Sequence, residues 1–342
     1  MSAENLRGLR ARVDGRDSTG ESLEYRRAGV SRPRWLGPIL TMPLLAIVFI
    51  GARPDPVTED VPLEPLHASQ PAVPSIPLEV NDRVERWMTA FETTRREEFE
   101  FLLRKRDVYA PMIRAKLRER GMPEELIYIP MIESEFSALA VSHVSAVGLW
   151  QFMSPTAMQY GLRVDEYVDE RRDPVAATDA ALDYLAWLHD RFGGSWYLAA
   201  AAFNAGPGRM ERILNRHADG RFSAPGAYWD VLDYLPRETR EYVPKMIAVT
   251  VLANDADQIG FDAGDVQPYV YDNVFVPGET TLEQVAATLD LAPRALYELN
   301  PHLIRGVTPP YEMYGVRVPV GTGSIVIDGL TDRPMPFRRT DD

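Results

Sequence analysis

The chain has 342 residues, 45% of them hydrophobic and 25% charged, with a formal net charge of −13 and no cysteine. That length suits two domains plus extra segments, and the apolar content suits a real core. The composition excludes disulfides, thiolate chemistry and a lipid-modified cysteine anchor, and it leaves no basic footprint for nucleic acid. The histidines (His67, His143, His189, His217, His302) are scattered, with no pair spaced to share one helix face. A zinc-hydrolase reading has no support, and no metal or cofactor is expected.

Residues 1–34 carry eight arginines against five acids and show no apolar period; they are expected to form a disordered cytoplasmic tail. Residues 35–52 (WLGPILTMPLLAIVFIGA) are uncharged and about the minimum length for a membrane-spanning helix. Arg26, Arg27, Arg32 and Arg34 precede them, and positive flanks stay in the cytoplasm, so the rest of the chain is expected outside. A cleaved signal peptide ending near Ala52 is the alternative. Residues 53–80 contain seven prolines and read as an extended linker.

From residue 81 the apolar pattern turns helical: Val84, Trp87, Met88 and Phe91 fall on one face, and Phe99, Leu102 and Leu103 continue it. Pro123 can open a helix, and ELIYIPMIESEF (125–136) is an apolar run ending in two carboxylates. Asp173-Pro174 is a cap followed by a first-turn proline, and an alanine-rich helix starts near Trp196. Residues 81–255 therefore read as one mainly α domain. Beyond residue 265 the character changes. YVYDNVFV (269–276) and YGVRVPV (314–320) have strand propensity, with two helical stretches (280–291 and 292–300) between them. Residues 265–325 are expected to be a small α/β module and 326–342 a disordered tail.

Glu133 follows the apolar run LIYIPMI, so it is expected to emerge from a buried helix. Apolar packing raises a carboxyl pKa, which suits a general acid for glycoside cleavage. Glu135, two positions on, does not share its helix face, so the two are not a paired-carboxylate site. Taken alone, Glu133 better fits a helix-end ion pair, Ser142 an N-cap or surface serine, and Trp150 and Tyr242 core aromatics.

Three motifs in order change that reading. ESEFSALAVSHVSAVGLWQFMSPTAMQYGL (133–162), AAFNAGPGRM (201–210) and ETREYVPKMIA (238–248) resemble the signature of the soluble lytic transglycosylase catalytic domain, and DERRDPVAATDAALDYL (169–185) resembles its linking segment. The resemblance covers roughly residues 81–255. It implies a lysozyme-like fold that cuts peptidoglycan glycan strands with one acid/base, here Glu133. It implies that Tyr242 hydrogen-bonds that glutamate and that Ser142 positions the substrate's N-acetyl group. It also implies that Gly148, Gln151, Met153 and Asn204 line the glycan groove. Phe203 departs from the family's usual tyrosine. GETTLEQVAATLDLAPRALYELNPHL (278–303) and GVRVP (315–319) resemble a degenerate LysM module. The whole arrangement looks like the membrane-bound D-type branch of the family, which places the catalytic domain in the periplasm and the anchor in the inner membrane.

With one acid and no paired carboxylate, the nucleophile must come from the substrate. The N-acetyl group can assist, the sugar's C6 hydroxyl can complete the displacement, and the product is a 1,6-anhydro sugar. Met153 and Trp150 offer apolar faces for sugar rings. A lysozyme-type hydrolase would need a second carboxylate to activate water, for which Asp165, Asp173 and Asp179 are candidates. A non-catalytic peptidoglycan-binding scaffold and a membrane-tethered partner-binding protein are the remaining alternatives; the sequence identifies no protein partner.

Overall fold

Asn81 opens the first helix by accepting the backbone N–H groups of Arg83 and Val84 on its side chain, a cap worth about 1 kcal/mol. This is the start of α1 (Asp82–Glu92) in a computed structural model of the chain, which describes residues 75–331 apart from 221, 223–225, 257 and 262–263. The expected cytoplasmic tail, the membrane anchor and most of the Pro-rich linker lie outside the described residues. Among the described residues, no helix is long and apolar enough to cross a membrane.

The helical body runs through α2 (Arg96–Glu119), α3 (Ile129–Ser134), α4 (Ser154–Gln159), α5 (Pro174–Arg191), α6 (Trp196–Ala205), α7 (Pro207–His217), α8 (Ala227–Asp230) and α9 (Arg237–Asn254). Helix α6 is the central post, with Leu198 to Ala202 fully buried. Four consecutive alanines there let α5 and α9 pack close on either side, because side-chain size at the contact sets the interhelical distance. Helix α1 lies against α9, and Phe91, Phe99 and Phe261 chain their rings at centroid separations of 5.1 and 5.0 Å. The apolar run 125–136 is not one helix. A 3-10 turn (Glu124–Tyr128) hands over to α3 at Pro130, whose ring suits a helix's first turn and not its interior.

Two expected boundaries move. The body begins before residue 81: Ile76 is buried in its core, and the Tyr197 hydroxyl donates to Pro77 O while accepting Glu79 N–H. The end of the linker is thus pinned to the helical body. At the other end, residues expected to be a tail form α12 (Gly323–Thr331). Val326 enters the module's core, and Gly329 lies so close to Thr288 that a Cβ would meet it at 2.9 Å. Two glycines and a threonine hid this helix, because it is held by packing and not by propensity.

The C-terminal module is built as the pattern suggested. Strands β1 (Asp272–Val276) and β2 (Tyr314–Val318) pair antiparallel with Val274 opposite Val316, and α10 (Leu282–Thr288) and α11 (Pro293–Leu299) lie between them in sequence. Thr281 and Gln284 close a reciprocal capping box at the start of α10. The module has its own core, and that core takes Val168 from the helical body. The two parts also share backbone bonds: Asp169 N–H donates to His302 O, Ile304 N–H to Tyr167 O, and Tyr269 N–H to Val108 O. Arg317 on β2 donates from Nη2 to both carboxylate oxygens of Asp173, at 2.7 and 2.6 Å. Asp173 is also the N-cap of α5, accepting the N–H groups of Val175 and Ala176. Burial opposes the ionisation of Asp173, but the Arg317 guanidinium beside it holds its carboxyl below the ordinary range.

Candidate active site

Helix α3 is only six residues long, and Glu133 sits in its last turn. The chain leaves it through two successive left-handed residues, Glu135 (φ 54°) and Phe136 (φ 55°). That reversal turns the exposed Glu135 away from the buried path, while Glu133 meets Tyr242 of α9: the phenol donates to Glu133 Oε1 at 2.7 Å. Ser134 ties the helix end down, its hydroxyl lying 2.8 Å from Leu149 O.

Glu133 keeps partial exposure, enough to meet a ligand, but the protein packed round its carboxyl raises the pKa from 4.5 to about 7. Burial is the largest cause. The Tyr242 hydrogen bond and the charge of Lys245 pull the other way, and the charge of Glu238 adds to the rise. The group is thus about half protonated near pH 7 and can lose and regain its proton at little cost. Tyr242 is itself buried, and burial beside Glu133 holds its hydroxyl protonated as a donor.

The loop after Glu133 is strained. Of the eight non-glycine residues with positive φ among the described residues, Glu135, Phe136, Ser145 and Gln151 fall within this one segment. Such strain persists only where surrounding contacts fix it. Gly148 is one such contact (φ 84°): a Cβ there would land 1.7 Å from Arg171 O. It is buried, so its contribution is backbone approach and not a surface for sugar. Ser142 Oγ accepts Ala146 N–H at 3.0 Å, which leaves its hydroxyl proton free. Gln151 donates from Nε2 to Gly148 O at 2.8 Å. Met153 is 43% exposed beside this loop and can offer an apolar face.

Asn204 is partly exposed and bound to α9. Its Nδ2 donates to Glu238 at 2.9 Å and its Oδ1 accepts the Thr239 hydroxyl at 2.8 Å, so both ends of the amide hold the first turn of α9. Trp150 cannot be a sugar platform: it is fully buried and its indole N–H donates to Thr178. Phe203 packs against Trp150, Phe152 and Tyr184 at centroid distances of 6.5, 6.4 and 5.4 Å, so an apolar ring satisfies the site it occupies.

The candidate water-activating carboxylates are all engaged elsewhere. Asp165 accepts from Arg163 and from the N–H groups of Tyr167 and Val168. Asp173 is paired with Arg317, and Asp179 with Lys116 and Arg120. The acid whose charge does reach Glu133 is Glu238, which sequence reading missed. The signal was present in the spacing: Glu238, Tyr242 and Lys245 stand at i, i+4 and i+7 and share one face of α9. Among the described residues, no cluster of His, Asp or Glu is placed to hold a metal ion.

Residues 110–223 match the family model of the transglycosylase SLT domain, and residues 270–333 match that of the lytic transglycosylase MltD, LysM-like domain. The membrane-bound lytic murein transglycosylase D of Escherichia coli (strain K12) is 38% identical over 153 residues, covering 44% of this chain and 33% of that protein. A putative tributyltin chloride resistance protein of Alteromonas sp. (strain M-1) is 40% identical over 107 residues, covering 31% of this chain and 52% of that protein. The soluble lytic murein transglycosylase of Escherichia coli (strain K12) is 31% identical over 120 residues, covering 34% of this chain and 18% of that protein. The chain thus spans between a fifth and about half of the length of these curated relatives. The chain thus carries a stretch similar to a transglycosylase SLT domain, followed by one similar to a lytic transglycosylase MltD LysM-like domain.

Proposed function

We propose that the chain is a peptidoglycan lytic transglycosylase. It cleaves the β-1,4 bond between N-acetylmuramic acid and N-acetylglucosamine and leaves 1,6-anhydromuramic acid ends. The observation that carries this reading is the single half-buried carboxyl of Glu133, poised at a pKa of about 7 under the Tyr242 hydroxyl. Protonated Glu133 gives its proton to the glycosidic oxygen as the C1–O bond breaks, and the substrate's acetamido oxygen assists at C1. The carboxylate so formed takes the proton of the C6 hydroxyl as O6 closes on C1, which restores the acid and consumes no water. Tyr242 holds the carboxyl through both steps, and Ser142, whose oxygen accepts Ala146 N–H, gives its hydroxyl proton to the acetamido group. Gln151 and Met153 belong to the glycan groove, and no cofactor enters.

A hydrolase of the same bond is the second reading, favoured by Glu238, whose charge reaches Glu133. For hydrolysis Glu238 would have to activate water, but it already accepts a hydrogen bond from Asn204. Digestion of purified sacculi with product masses read by mass spectrometry separates the two. Anhydro-ended fragments, one water lighter than hydrolysis products, are expected; reducing ends would give the hydrolase. We also assign the body to the periplasmic face of the inner membrane, with residues 35–52 as a single-pass anchor; a cleaved signal is the alternative. The similarity to the membrane-bound lytic murein transglycosylase D of Escherichia coli supports membrane association.

A further inference from the structure

A cleft of about 1010 Å³ lies between the helical body and the C-terminal module. Lys105 and Tyr109 of α2 line it from the body, together with Arg172 and the segment Phe136–Leu139, which begins three residues after Glu133. Helix α11 of the module contributes Arg294 and Glu298. Three cations and one acid therefore face a single groove in a chain whose net charge is −13. Arg294 is paired with Glu298 at 2.8 Å, so the excess charge rests on the other two.

Neither has a hydrogen-bonded acidic partner among the described residues. Lys105 lies over the Phe101 ring, and the exposed Glu135 is an acid whose charge it feels. Arg172 approaches Asp169 only to 3.8 Å, and its Nε is buried with no hydrogen bond. Asp169 is already held by Arg171, which takes both carboxylate oxygens at 2.8 Å. Neighbouring cations show what pairing looks like here: Arg317 is closed on Asp173, and Arg163 on Asp165 and Glu312. Two half-buried cations left open toward one groove are donors for carboxylates, and the arginine fork suits them in two-pronged fashion. Glycan is a poor match, since sugar hydroxyls and acetamides do not need two cations. The acidic part of a peptidoglycan strand is its stem peptide.

The geometry points to this cleft as the seat of the carboxylate-bearing stem peptide attached to the glycan at Glu133, with Lys105 and Arg172 binding its carboxylates. Body and module build the site together, so the module contributes to substrate choice without having to grip glycan itself. The inference rests on the reading of Glu133 given above.

The test uses the full chain in detergent and two readouts. In the first, calorimetry follows binding of the free acidic stem tetrapeptide, and of the same peptide with its carboxyls amidated. The acidic peptide is expected to bind at least about tenfold more tightly than the amidated one, and Lys105→Glu and Arg172→Gln are each expected to weaken it at least about tenfold, with Arg172→Lys recovering part of the loss. Equal binding of the two peptides, or variants that stay folded by circular dichroism and bind like the parent, overturns the inference. In the second, cleavage of peptide-bearing strands is compared with cleavage of strands stripped by an amidase. The ratio is expected to fall at least about fivefold in Lys105→Gln, as a charge-assisted contact is lost; an equal loss on both substrates overturns the assignment. The peptide readout needs no glycan cleavage. Peptide binding without cleavage therefore sinks the function proposed for Glu133 and keeps the site, while cleavage without peptide binding does the reverse.

Discussion

Glu133 in the helical body and Asp173 beneath the C-terminal module are both withdrawn from water, and their neighbours give them opposite states. Glu133 has a hydroxyl donor, and the charge of Lys245 acts on it only weakly, so burial wins and the group is mainly neutral below about pH 7. Asp173 is at least as enclosed, but a guanidinium and two helix N–H groups surround it, so it is ionised well into acid. Burial alone therefore says little about what a carboxyl does. The partner decides whether it moves a proton or fastens two parts of a molecule together.

Removing each group should break different properties. Glu133→Gln is expected to lower sacculus cleavage on the order of 10³-fold or more with an unchanged melting temperature, because the only acid/base is lost and no buried charge is stranded. Cleavage by a folded Glu133→Gln protein would falsify the mechanism. Asp173→Ala should act the other way, costing about 3–5 kcal/mol in denaturant unfolding because it leaves Arg317 buried without its counter-charge. If Asp173→Ala and Glu133→Gln proved equally stable, the contrast would fail.

The interface also carries a pH response. Burial pushes His302 down from 6.5 to about 4, with Arg317 adding to the fall and Asp173 opposing it. The unfolded chain therefore takes up this proton near pH 6.5 while the folded chain does not until about pH 4. Stability should fall through that window as pH drops, by up to about 3 kcal/mol. His302→Gln should flatten the decline in urea titrations between pH 6.5 and 4. Asp173 works in a separate window: its pKa is depressed, so its stabilisation holds above 3.8 and is lost only in stronger acid.

The smallest effects sharpen the account of Glu133. Tyr242→Phe is expected to cost about 10–100-fold in kcat. It should also move the alkaline limb of the pH–rate profile upward, because the lost hydrogen bond had favoured the carboxylate. Glu238→Gln should move the same limb downward by removing a like charge. Limbs that stay near pH 7 in both variants would mean that another group titrates.

The pattern of legibility follows from what carries each feature. The helices of the body showed in their apolar periods, and the module's strands in alternation between β-prone runs, since both are local signals. Helix α12 was missed because Gly323 and Gly329 disguise it and only contact with the module's core holds it. Glu133 could be singled out by the apolar run before it, whereas Asp173 read as a helix cap and as a spare catalytic acid. Its partner Arg317 lies 144 residues away, beyond any local pattern.

The sequence by itself determined the two-part architecture, the order of the motifs and the residue types available for chemistry, because periodicity, capping and spacing are written along the chain. Only the tertiary structure decided which carboxyl is neutral and which is paired, that Trp150 and Gly148 are buried, that Glu238 and Lys245 reach Glu133, and that body and module enclose a common cleft. Those outcomes depend on desolvation and on charges brought together from distant segments. Such quantities exist only once the chain has folded.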